Sequence, residues 1–246
     1  MTPSHTKRRG ARAWVIAGVV AVAILAGLSV GAYVVLHSRL FAATTITVGG
    51  EHHETAAEVA AVAGLASAPP MISVNPGAIE SRLARAFPWI ASVSVATSWP
   101  HSVTVIITER TPVATIVLPK LGEVLVDRSG RQLGPPGPSE VLPRLEYSIP
   151  AGTADPPGAL PATAMPGLVV ASSLPRAFAA QVAVVQSNDN GWVTLHLATP
   201  VTFILGPATN LLAKYEDIAA VIANATLHHG DVVDVSVPQA MTVTGP

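Results

Sequence analysis

The chain contains no cysteine among its 246 residues. That excludes a disulfide framework, a thiolate metal centre and a cysteine nucleophile. Its 14 basic and 15 acidic side chains leave a formal net charge of −1. There is therefore no basic footprint for nucleic acid. Aromatic residues make up 4%, which leaves core building to Val, Ala, Leu and Ile. The sequence lacks a P-loop, G-x-G-x-x-G, G-x-S-x-G and H-E-x-x-H. These are the short patterns of phosphate, dinucleotide, hydrolase and zinc-protease chemistry. Ser4-His5-Thr6-Lys7 fits S-x-x-K, but its S-D-N and K-T-G companions are missing. Glu51-His52-His53-Glu54 and His228-His229 bring metal-ligand types together. Adjacent histidines diverge on a strand or a helix, so solvated turns are expected, with no metal and no cofactor.

What the chain does have is one long apolar run, Ala13 to Leu36, reading AWVIAGVVAVAILAGLSVGAYVVL without charge or proline. At about 1.5 Å per residue, about 24 residues cross the roughly 30 Å hydrocarbon core. Lys7, Arg8, Arg9 and Arg12 precede it, and only Arg39 follows closely. The positive-inside bias puts the N-terminus in the cytoplasm and everything past His37 outside. Trp14 and Tyr33 fall near the two headgroup regions. A signal peptide has a shorter apolar core of about 7–15 residues and a small-x-small cleavage site, which Leu40 and Phe41 interrupt ahead of Ala42. Gly27 and Gly31 make a G-x-x-x-G spacing, which arises easily in an Ala/Gly-rich span. The expected division is a basic tail at 1–12, a span at 13–37 and exported material beyond.

In the exported part, the alternating run TITVGG predicts a short strand and a turn. Thr55-Ala-Ala-Glu58 is a capping-box spacing for a helix that Gly64 closes. Asn75 caps a second helix with Pro76 at its first position. Ile79, Leu83 and Phe87 share one face, and Arg82 and Arg85 turn to water. Ile90 to Ala96 and Val103 to Thr108 alternate, joined through Ser98-Trp99-Pro100-His101 as a hairpin. The result is a strand-helix-helix-strand-strand unit, whose sheet needs the helices to cover it.

A β-rich unit follows. Val113 to Leu118 reads as a strand, and residues 123–133 read as a hairpin turning at Gly130. Residues 134–167 carry nine prolines, so loop and edge are expected there, with Leu142-Pro-Arg-Leu145 as an apolar clasp. Residues 167–180 are expected to be helical in pieces broken at Pro175. Three strands follow from Gln181. An amphipathic helix over 208–225 turns Leu212, Tyr215, Ile218 or Ala219, and Ile222 inward. Residues 231–237 form a late strand, which Met241 to Thr244 extends. With Pro238 just beyond it, that strand is a candidate sheet edge.

In order and spacing, Ile46-Thr-Val-Gly-Gly50, Pro88-Trp89-Ile90, Trp99-Pro100 and Glu109-Arg110-Thr-Pro112-Val113-Ala114 resemble the FtsQ/DivIB family of bacterial cell-division proteins. So do Leu125-Val-Asp127 with Gly130, the 142–145 clasp, Leu205-Gly206, Lys214, and Val233-Asp234-Val-Ser236 with Pro238. Gly50 stands where that family more often has Asn, and the proline-rich stretch is long. The resemblance implies an α+β protein with one N-terminal transmembrane helix. A β-α-α-β-β POTRA domain at 41–111 and a mostly antiparallel β domain with flanking helices at 112–246 would follow. Gly49, Pro88, Trp89, Trp99, Pro100, Glu109, Arg110 and Pro112 are its POTRA signature here. It implies a non-enzymatic, single-pass divisome scaffold enriched at the septum, linking early and late division proteins. The POTRA domain would serve recruitment and contact other divisome components. The β domain would bind FtsB/DivIC-like and FtsL-like proteins through Val233, Asp234, Val235, Ser236, Val237, Pro238, Met241 and Val243. An exported, membrane-anchored cell-wall enzyme and another POTRA-bearing accessory protein are the alternatives.

Overall fold

The computed structural model describes residues 7–119, 121–138, 140–148 and 160–245. Part of the expected basic tail (1–6) and part of the proline-rich stretch (149–159) lie outside the described residues. The chain divides into two compact units, Met1–Glu109 and Arg110–Pro246.

In the first unit, α1 (Lys7–Leu36) is one continuous helix of 30 residues, and Ala17–Leu36 is long and apolar enough to cross a membrane. Strand β1 (Thr45–Gly49), helices α2 (Ala56–Ala63) and α3 (Pro76–Ala86), and strands β2 (Ile90–Ser98) and β3 (Ser102–Glu109) follow. The sheet order is β1-β3-β2, with β1 parallel and β2 antiparallel to β3. Side-chain alternation on β3 sends Val103, Val105 and Ile107 into the core against Val59, Ile79 and Leu83. The capping box of α2 is complete: Thr55 Oγ1 accepts from Glu58 N, and Glu58 accepts from Thr55 N. Gly64 closes the helix in the left-handed region, and Asn75 Oδ1 caps α3. Arg82 departs from expectation. Its Nη1 donates to Ala63 O at 2.9 Å, so it satisfies a carbonyl at the end of α2 rather than only water. Glu80 accepts the Val95 N–H at 2.9 Å and closes part of the β2 edge.

The second unit is built on one nine-stranded sheet. In chain order its strands are β4 (Pro112–Leu118), β5 (Gly122–Asp127), β6 (Gln132–Gly134), β7 (Arg144–Tyr147), β8 (Val182–Ser187), β9 (Trp192–Leu197), β10 (Thr202–Pro207), β11 (Val232–Asp234) and β12 (Thr242–Thr244). The spatial order is β12-β11-β10-β9-β8-β7-β4-β5-β6. The pairings β10–β11, β7–β8 and β4–β7 are parallel, and the other five are antiparallel.

A parallel pair needs a crossover. Helix α6 (Leu211–Asn224) supplies one between β10 and β11. Helices α4 (Met165–Ser173) and α5 (Arg176–Ala179) lie between β7 and β8. Tyr215 on α6 hydrogen-bonds Ser173 Oγ at 2.8 Å and Val170 O at 3.3 Å. The two crossovers therefore meet over the same core of Leu168, Val185, Leu195, Phe203, Ile218 and Val233.

Three expectations are corrected here. The clasp Arg144–Leu145 is not loop or edge. It is central strand β7, paired on both sides, with Leu145 buried. Flanking prolines hid a strand too short to show alternation. Helix α6 turns Lys214, Tyr215, Ile218 and Val221 inward, while Leu212 is 75% exposed and Ile222 is also exposed. Its phase is set by Lys214, whose Nζ donates to Leu205 O at 2.7 Å and Pro207 O at 2.8 Å. The expected late strand over 231–237 shortens to β11 and is interior, because β12 folds back and takes the edge.

Candidate functional site

The β12 edge is assembled from four constraints. Gly206 is in the left-handed region, and an added Cβ would lie 2.9 Å from Ser236 Cβ, so the end of β10 passes close under the segment after β11. Lys214 reaches into that corner and takes the carbonyls of Leu205 and Pro207. Burial holds the Lys214 pKa below its usual value, and the nearby Asp234 charge opposes that shift. The Asp234 carboxylate also accepts Ser236 N at 2.8 Å, which turns the chain out of β11. Gln239, at φ 63, then donates its N–H to Asp217 on α6 at 3.0 Å. This returns the chain for β12.

The register decides what β12 offers. Asp231 O accepts Thr202 N at 3.0 Å, and Val235 N donates to Ile204 O at 2.9 Å. The odd-numbered residues of this segment therefore turn their backbone to β10. By the alternation of a ladder, Val232 and Asp234 turn theirs to β12. Their partners are Thr244 and Thr242. Val243, opposite Val233, is left with its N–H and C=O pointing away from the sheet. No strand pairs with that flank among the described residues.

The eight residues expected to bind a partner divide in three. Val233 and Val235 are fully buried and belong to the core, and Asp234, Ser236 and Pro238 are half-buried. Val237, Met241 and Val243 are exposed, and all three side chains of β12 are exposed. Alternation along 231–237 was visible in the sequence. The fold-back that takes the edge from this stretch and exposes 242–244 was not.

Of the residues expected as the POTRA signature, Glu109, Arg110 and Trp89 make fixing contacts, and others lie at strand and helix ends. Glu109 accepts from His53 N at 3.1 Å, from His53 Nδ1 at 2.6 Å and from His52 N. Burial pushes its pKa up, but those donors and the His53 charge outweigh burial and hold it below the usual range. The His53 ring stacks on Trp89, centroids 3.6 Å apart, so in this exposed turn the histidine is held by Glu109 and Trp89. Trp99 sits in the β2–β3 turn, which spans three residues rather than four because Ser98 pairs Ser102. Gly49 ends β1 beside Ile106, and Pro88 lies between α3 and β2. Pro112 opens β4 opposite Asp127.

Arg110 Nη1 donates to Asp127 Oδ2 at 2.6 Å. Asp127 Oδ1 also takes Ser129 N, Ser129 Oγ and Arg131 N. Burial pushes the Asp127 pKa up, and these hydrogen bonds more than reverse it. The sequence signal for this turn was Asp127 followed by Gly130.

A model of the POTRA domain, FtsQ-type, matches residues 41–110. A protein of Streptomyces griseus called cell division protein FtsQ is 30% identical over 201 residues, 77% of this chain and 90% of that protein. The protein of the same name from Streptomyces venezuelae is 28% identical over 232 residues, 92% of this chain and 83% of that protein. That from Streptomyces collinus is 36% identical over 99 residues, and there the match spans only 38% of the relative's length.

Proposed function

The chain belongs to the FtsQ family of cell-division proteins, and on that premise we propose that it is a membrane-anchored divisome scaffold working by backbone pairing, without catalysis. Helix α1 is the single span, with the basic tail in the cytoplasm and both folded units outside. The 41–111 POTRA domain serves recruitment to the septum. The 112–246 domain captures FtsB/DivIC-like and FtsL-like proteins at β12.

One observation carries this reading: the outward N–H and C=O of Val243 on an unpaired, exposed edge. An extended partner segment can add a strand there. Val237 and Met241 offer apolar contact beside it. Val233 and Val235 contribute by shaping the corner from within.

Val243→Pro is the test. Proline removes the outward N–H and leaves the β11 hydrogen bonds of Thr242 and Thr244 in place. Capture of the partner ectodomains by the full chain in nanodiscs should weaken by about tenfold or more, with unchanged circular dichroism and melting. Undiminished capture by the folded variant overturns the edge-pairing reading.

A further inference from the structure

We propose that the first unit seats a second contact on the bilayer, through Leu40, Ile72 and the Trp99 turn, so that its membrane-proximal end lies in the lipid headgroup layer. The inference rests on the reading that α1 spans the membrane and goes beyond it.

The chain leaves the span without slack. His37 N and Ser38 N continue the helical hydrogen bonding to Tyr33 O and Val35 O, each at 3.1 Å. Ser38 then caps a single 3-10 turn, Arg39–Phe41. Three residues of that turn advance about 6 Å. The headgroup layer on each side of the hydrocarbon core is of the same order, about 5–7 Å. Leu40 and Phe41 therefore stand in that layer.

The fold brings two loops to the same level. The Phe41 and Trp99 rings are 5.9 Å apart. Ala42 bridges to Pro70, and Ala43 N donates to Pro69 O at 2.8 Å. Thr44 N and Thr45 N both donate to His101 O at 3.1 Å. The span exit is thus stitched to 69–70 on one side and 99–101 on the other.

Beside exposed serines such as Ser73 and Ser98, the large side chains exposed at the span exit and these loops are apolar: Leu40 is 70% exposed, Trp99 52% and Ile72 46%. An amphipathic indole and aliphatic side chains at this depth suit the boundary between headgroups and acyl chains. Continuity with the span identifies the occupant as lipid rather than another protein. Arg39 in the same turn suits the phosphate level.

The absence of cysteine makes the test clean. Nitroxide labels are placed one at a time at Leu40→Cys, Ile72→Cys, Ser98→Cys, Ile106→Cys and Leu25→Cys, in the full chain reconstituted in phospholipid nanodiscs. Ile106 is the internal control. It is 50% exposed on the same unit but lies four residues further along β3 from the Trp99 turn, about 13 Å away. The ratio of oxygen to nickel-chelate accessibility should exceed the Ile106 value at least about threefold at 40, 72 and 98, as for interfacial depth. Adding Trp99→Ser should return the Ile72 label to the Ile106 value. Water-like ratios at 40, 72 and 98, with the Leu25 label at core depth, overturn the inference and leave the span intact. A Leu25 label outside the core overturns the span reading, and the inference with it.

Discussion

At one end of the nine-stranded sheet, β6 buries Leu133 and runs directly into Pro135 and Pro136; at the other, β12 leaves all three of its side chains exposed. Both strands have three residues, and both are sheet edges. The β6 edge is blunted by familiar means: prolines that cannot donate follow it directly, and the turn before it is pinned by Asp127. The β12 edge keeps the outward backbone of Val243 and an apolar surround. On the proposed reading, the β12 edge is the one at which a partner strand pairs. In the first unit Glu80 covers one group of the β2 edge by taking the Val95 N–H.

The largest test of this contrast is a matched truncation. Leu133→Ala should cost about 2–4 kcal/mol, because it opens a cavity at a buried site. Val243→Ala at the opposite edge should stay within about 0.5 kcal/mol, as an exposed substitution does. Denaturant unfolding of the full chain in nanodiscs measures both, and equal costs would erase the distinction between the two ends.

Lys214→Met comes next. It fills similar space but strands the Leu205 and Pro207 carbonyls, which should cost about 1–3 kcal/mol. Amide exchange should rise first at 232–244, beside the corner that Lys214 holds. Exchange rising equally at β6 would show that the lysine is not specific to the open end.

The smallest effect is acid response at the closed end. The Asp127 pKa is depressed, so its contribution is complete above the unfolded value of about 3.9 and disappears as pH falls through the folded value. Calorimetric melting of the wild type should therefore drop by a few degrees below pH 4. In Asp127→Asn this component should be absent, with the variant already less stable at pH 7. An identical acid profile in both would remove Asp127 from the account.

Much of the first unit was legible because its signals are local. The Thr55 box, Gly64, Asn75-Pro76 and the alternation of 103–108 each act within a few residues. The second unit was harder. Leu145 gave too short a run between prolines to announce a central strand. Lys214 reads as a surface residue until two carbonyl ends nine and seven residues earlier claim it. Val233 and Val235 alternate as an edge strand would, and the fold-back that takes the edge from them comes only seven residues later.

By itself the sequence determined the long apolar helix and the order of strands and helices in the first unit, because hydrophobic length, period and caps are written in neighbouring residues, while motifs in order along the whole chain carried the resemblance to the family. Only the tertiary structure decided which strand closes the sheet and which backbone groups are left over. Pairing register joins residues far apart in the chain, and a hydrogen bond already made to β10 or β11 is not available to anyone else.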